Sequence, residues 1–63
     1  MQESLLTTSE AASYLRMTTP ALAQLRYRRV GPDFIRLGKR SIRYRLGDLE
    51  EWISRGVVSL PDF

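Results

Sequence analysis

The chain has 63 residues, 43% of them hydrophobic and 27% charged, with a formal net charge of +3. It holds neither cysteine nor histidine, which excludes disulfides, thiolate metal sites and the commonest general base and metal ligand. One domain over residues 1–63, with its core in 5–55, has little room for a water-excluding pocket beside that core, so neither an enzyme nor a metal or cofactor protein is expected.

Met1–Ser4 lacks the basic n-region of a secretory signal, and no apolar run approaches the ~20 residues that span a bilayer. A cytoplasmic chain with no membrane partner is expected. Leu5-Leu6 leads into Thr7-Thr8-Ser9-Glu10, a capping-box pattern that starts a first helix at about Thr8. Leu6 and Ala11 stand at the positions of a hydrophobic staple, and Ala11, Ala12 and Leu15 share one face. Small alanines on that face admit a second helix at close range.

The periodicity breaks over Arg16-Met17-Thr18. Thr18 then caps a second helix whose first turn tolerates Pro20. Leu22 and Leu25 form its inward stripe, while Pro20, Ala23, Gln24 and Tyr27 point the other way, flanked by Thr19, Arg26 and Arg28. Two short helices joined by a tight turn make a helix-turn-helix. Val30-Gly31-Pro32 ends the second helix, with glycine suited to the reversal. Phe34–Leu37 and Ile42–Arg45 read as two strands around the turn Gly38-Lys39-Arg40-Ser41. Ile42 and Tyr44 alternate with Arg43 and Arg45, so the second strand has an apolar and a basic face.

A third helix begins near Gly47 and presents Leu49, Trp52 and Ile53 at helical spacing, which makes them core residues with Leu15, Leu22 and Leu25. Asp48, Glu50 and Glu51 suit its positive end, Arg55 its negative end, and Gly56 is read as a left-handed cap. The tail 56–63 is apolar but broken by proline, and is expected to be flexible or packed back on the core. The fold class is α+β: a small winged helix-turn-helix, three helices with a β-hairpin wing between helix 2 and helix 3.

Charge assigns a use to this frame. Nine of the ten basic residues fall between Arg16 and Arg45 with Asp33 as the one acid there, which gives that stretch +8, while the remainder sets Arg55 against six acids and carries −5. A cationic surface on a motif shaped for a DNA groove is the footprint of a nucleic-acid binder. In helix 2, Gln24 can donate to and accept from an adenine edge, Thr19 can meet a base or a thymine methyl, and Ala23 permits close approach, so these three are the candidate base readers. The guanidinium forks of Arg26, Arg28 and Arg29 and the phenol of Tyr27 suit phosphate oxygens, and Thr18, Arg36 and Arg43 extend the same backbone set. Gly38, Lys39, Arg40 and Ser41 form a wing tip for the backbone or minor groove. The bland alternatives are a solvated helix face, a dipole-compensating basic end and a charged turn that blocks edge pairing.

The order of these features resembles a family. Leu5 through Leu15 follows the "LLT-x-x-EAA-x-YL" opening of the excisionase-type helix-turn-helix proteins, a MerR-like group that includes AlpA-type regulators. Pro32–Gly38 resembles their first wing strand and turn, and Ile42–Arg45 with Asp48–Ile53 their closing strand and helix. The resemblance implies that helix 2 enters the major groove of double-stranded DNA and that Arg26 and Tyr27 grip phosphates. Arg16 stands where the family usually has glycine, and is a further candidate phosphate contact. The resemblance also implies a recombination directionality factor that binds repeats near an attachment site or promoter, bends DNA and turns a tyrosine or serine integrase toward excision. Head-to-tail self-association on DNA and a nucleoid location would accompany that role, with no small-molecule effector. An AlpA-like transcriptional regulator is the close alternative, and a protein-interaction adaptor is the competing class.

Overall fold

A computed structural model describes residues 4–56. Its elements in chain order are β1 (Leu5–Leu6), α1 (Thr8–Tyr14), α2 (Thr19–Arg28), β2 (Ile35–Leu37), β3 (Ser41–Arg45) and α3 (Leu46–Arg55). Three helices and a three-stranded antiparallel sheet of order β1-β3-β2 make the expected small α+β winged helix-turn-helix. The tail 57–63 lies outside the described residues.

α1 starts where its caps dictate. Thr7 Oγ1 accepts from the Glu10 amide at 3.1 Å, and Glu10 Oε1 accepts from the Thr7 amide at 2.9 Å, so two orphan donors are satisfied reciprocally. The buried Ala11 and Ala12 let α2 pack closely, and α2 answers with the buried Leu22. Leu5-Leu6 contributes more than a staple. It forms an edge strand, with Leu5 opposite Arg45 and Leu6 opposite Tyr44, because a two-residue run gives no strand periodicity of its own while β3 offers it a free edge.

Register divides the sheet into faces, since antiparallel partners point the same way. Arg36 pairs with Ile42, Ile35 with Arg43, and Leu37 with Ser41. Tyr44, Ile42, Phe34 and Leu6 therefore lie on the inner face, and Arg36 shares it at the edge. Ile35, Leu37, Arg43 and Arg45 occupy the outer face. Tyr44 is fully buried, joins Leu22, Leu49, Ala11 and Ala12 in the core, and tilts against Phe34 at 6.2 Å between ring centroids. Leu15 and Leu25 are partly buried against that cluster.

Several expectations need correction. α2 is not ended by Gly31. Arg29 takes the left-handed conformation (φ 59°), and the Val30 amide bonds the Leu25 carbonyl at 3.1 Å. Gly31 serves a close approach instead: a Cβ there would stand 2.9 Å from Leu25 Cβ. Gly56 is not a left-handed cap, because its φ of −89° lets its amide fold back to Ile53 and Trp52 carbonyls. α3 begins at Leu46, one residue before Gly47, so of its acids only Asp48 lies in the first turn. Trp52 is half-buried and Ile53 is 43% exposed, so neither belongs to the buried core, which α3 enters through Leu49 alone. Helical spacing puts three residues on one face, but a helix packed on the end of a small sheet buries only the middle of that face.

Candidate nucleic-acid interface

The exposed side of α2 organises the site. Thr18 holds its N-terminus as cap, with Oγ1 accepting from the Ala21 amide at 3.2 Å; its hydroxyl proton stays available for a phosphate oxygen. One residue on, Thr19 is exposed, Gln24 is exposed, and Ala23 is half-buried between them and the groove beside the helix. Tyr27, 85% exposed, projects from the same side a turn later. Nothing in the fold occupies the Gln24 amide or the Tyr27 phenol among the hydrogen bonds of the described residues.

Both helices of the motif end on an arginine in left-handed backbone. Arg16 has φ 59°, with its amide on the Ser13 carbonyl at 3.1 Å and the Met17 amide on Ala12 at 2.9 Å; Arg29 repeats this arrangement at the end of α2. The positive φ at Arg16 is one that glycine adopts freely, whereas a Cβ is strained in this region. Arg16, Arg28 and Arg29 are all exposed. Arg43 is half-buried and gives one Nη1 donor to the Ile42 carbonyl at 2.8 Å, which fixes it along the outer face of β3.

The wing tip is narrower than the sequence suggests. Gly38 adopts φ 81°, a conformation that needs glycine, and Lys39 and Arg40 are exposed beyond it. Ser41 already pairs with Leu37 in the ladder and so sits at the base of the turn.

Arg26 is the residue that the sequence read least fully. It is half-buried, and its Nη1 donates to the Tyr44 hydroxyl at 3.0 Å and to Thr8 Oγ1 at 3.3 Å. One guanidinium therefore joins α2 to β3 and to the start of α1. Its Cζ also lies 5.8 Å from the Phe34 ring centroid, and Arg36 approaches the same ring at 6.0 Å. Phe34 and Tyr44 carry no charge, yet together they frame this guanidinium. Their signal was the alternation that places Phe34 and Arg36 on one strand face.

An open groove runs between α2 and the wing, with Gln24, Tyr27, Phe34 and Arg36 among its lining residues. Asp48 lies on its wall, paired with Arg45 at 3.5 Å. On the other side of α3 the Tyr14 hydroxyl donates to Glu50 Oε2 at 3.3 Å. Partial desolvation holds the Tyr14 phenol above its ordinary value of 10.0, with the charge and hydrogen bond of Glu50 adding to it. Among the described residues no group of three or more potential ligands gathers to hold a metal ion, and no helix is long and apolar enough to cross a membrane.

Residues 5–57 match the protein family described as a helix-turn-helix domain. No curated protein matches the chain.

Proposed function

The chain belongs to the helix-turn-helix domain family, and on that premise we propose that it is an excisionase-type architectural protein that reads double-stranded DNA with α2 and grips it with the wing. The observation that carries the reading is the exposed face of α2. Thr19, Gln24 and Tyr27 stand clear of the protein there, with exposed Arg28 and Arg29 at one end and Lys39 and Arg40 on the neighbouring turn. A helix so disposed suits the width of the major groove, and flanking cations suit the phosphates on either side.

In this role Thr19, Ala23 and Gln24 meet base edges. Arg16, Thr18, Arg26, Tyr27, Arg28, Arg29, Arg36 and Arg43 meet backbone, and the tip of the wing lies along backbone or minor groove. A protomer of this size gains affinity mainly from phosphates and specificity from neighbours on repeated sites, which favours bending and side-by-side assembly over action by a lone copy. The excision role rests on the resemblance of Leu5–Leu15 and Asp48–Ile53 to excisionases. In that role the protein would act on the nucleoid beside an integrase.

Titration of a duplex against salt tests the DNA reading. With about four to six phosphates contacted, log affinity falls against log salt with a slope of roughly −4 to −5. Absence of duplex binding at low salt would turn the reading toward an adaptor for an acidic protein. An excision assay with a tyrosine or serine integrase and its attachment sites then separates roles: excision that depends on the protein supports the directionality factor, whereas unchanged excision with altered promoter output supports an AlpA-like regulator.

A further inference from the structure

We propose that Phe34 is a positioning residue for DNA binding: its ring holds Arg26 from α2 and Arg36 from β2 as a paired phosphate grip, so that recognition helix and wing engage one strand of the backbone as a unit. The inference rests on the DNA reading above and adds to it how the two elements are coupled.

The geometry carries it. Arg26 and Arg36 come from segments that share no backbone hydrogen bond, yet each sets its guanidinium about 6 Å from the centroid of one ring. The negative face of an aromatic ring attracts a cation, so it restrains two side chains that would otherwise sample many rotamers. Phe34 is itself fixed by Tyr44, its neighbour on the inner face. Arg26 is further tied at Nη1 by Tyr44 and Thr8, which orients the planar fork and leaves its other donors to the groove that it lines with Arg36.

The ligand chemistry follows from charge. Arg26, Arg29, Arg36 and Arg45 line the groove against Asp33 and Asp48, and Asp48 is engaged by Arg45. The balance is cationic, and a guanidinium fork matches a phosphate diester. Two cations each about 6 Å from one ring centroid can reach neighbouring phosphates of the same strand. Because they are restrained before binding, little side-chain entropy is lost when the phosphate arrives.

The experiment compares the 63-residue protein with Phe34→Leu, Phe34→Tyr and Arg36→Ala on random and footprinted duplexes across a range of potassium chloride. Leucine keeps an apolar side chain without the ring face; tyrosine keeps the ring. Arg36→Ala is expected to make the salt slope shallower by about 0.9, one phosphate's share. Phe34→Leu is expected to weaken both duplexes about three- to tenfold and to make the slope shallower by about 1 to 2, with Phe34→Tyr close to the parent. An unchanged slope in folded Phe34→Leu, with parent binding intact, overturns the paired grip and leaves the DNA reading standing. If Phe34→Leu does not fold, Arg36→Ala at its exposed position decides: no change in slope overturns the proposal. Failure of the parent to bind any duplex overturns both.

Discussion

The Nη1 group of Arg26 donates to the hydroxyl of Tyr44 at 3.0 Å, and this contact ties α2 to the central strand of the sheet. Tyr44 is fully buried, so its hydroxyl has no alternative partner in water. Tyr44→Phe keeps the ring and removes the acceptor, leaving a half-buried guanidinium with Thr8 at 3.3 Å. A hydrogen bond to a charged group contributes about 1.5 to 3 kcal/mol, and the part exposure of Arg26 favours the lower end. Urea denaturation is expected to show a loss of about 1.5 kcal/mol; an unchanged midpoint would mean that the contact is incidental.

Arg16 and Arg29 hold left-handed backbone that glycine adopts without strain. For Arg16→Gly the relief of about 1 to 2 kcal/mol is partly offset by about 0.5 to 1 kcal/mol from the freer unfolded chain. The net expectation is a gain of about 0.5 kcal/mol in denaturation. Duplex affinity is expected to move the opposite way, with a salt slope shallower by about 0.9 from the lost phosphate contact. A variant that gains stability and binds DNA as before would show that the arginine does not touch the backbone. Strain kept at a cationic position is understandable where the side chain serves binding.

Much of this fold was legible in the sequence because local rules and global packing agree. The capping box at Thr7 and Glu10, the cap at Thr18 and the alternation around Tyr44 each stand where the chain places them. What escaped has a common cause: it depends on partners distant in sequence. Leu5-Leu6 becomes a strand only because β3 presents an edge, and Arg26 becomes half-buried only because Thr8, Phe34 and Tyr44 converge on it. The exposed face of α2 that carries Thr19, Gln24 and Tyr27 was legible from helical spacing, whereas the approach of Arg26 and Arg36 to the Phe34 ring was not.

Of the three apolar residues of α3 that periodicity treats alike, Leu49 and Trp52 are expected to differ in weight. Leu49 is fully buried in the core, while Trp52 is half-buried outside it. Leu49→Ala is expected to cost about 3 kcal/mol through lost transfer energy and a residual cavity. Trp52→Ala leaves no closed cavity and is expected to cost less, about 1 to 2 kcal/mol. The reverse order in thermal or urea denaturation would show that Trp52 is buried against something other than residues 4–56.

Tyr14 provides a pH signature on the side of α3 away from the groove. Its phenol titrates above 10.0 in the fold because partial desolvation and the Glu50 carboxylate favour the neutral form. The folded state therefore binds more protons than the unfolded state between the two values, and stability falls as pH rises there. The contribution is fully present below about pH 10 and lost as pH passes the folded value. Tyr14→Phe is expected to make that alkaline decline shallower in denaturation between about pH 9 and about pH 11, with no effect near neutrality on the slope. An equally steep decline in the variant would assign it to other groups.

Gln24 and Arg40 separate reading from gripping. Gln24 is exposed on the outward face of α2, where its amide can pair with one base edge, and Arg40 is exposed at the wing tip, where a guanidinium can meet phosphates common to all sequences. Gln24→Ala is expected to cost about 1 to 3 kcal/mol on the footprinted site, to relax preference at one position and to leave random duplex almost unchanged. Arg40→Ala is expected to weaken both duplexes alike and to make the salt slope shallower by about 0.9. Competition titrations at two salt concentrations distinguish the patterns. Equal losses on both duplexes for Gln24→Ala would move sequence reading away from this residue, and Thr19 would then be the remaining exposed polar reader at the start of the helix.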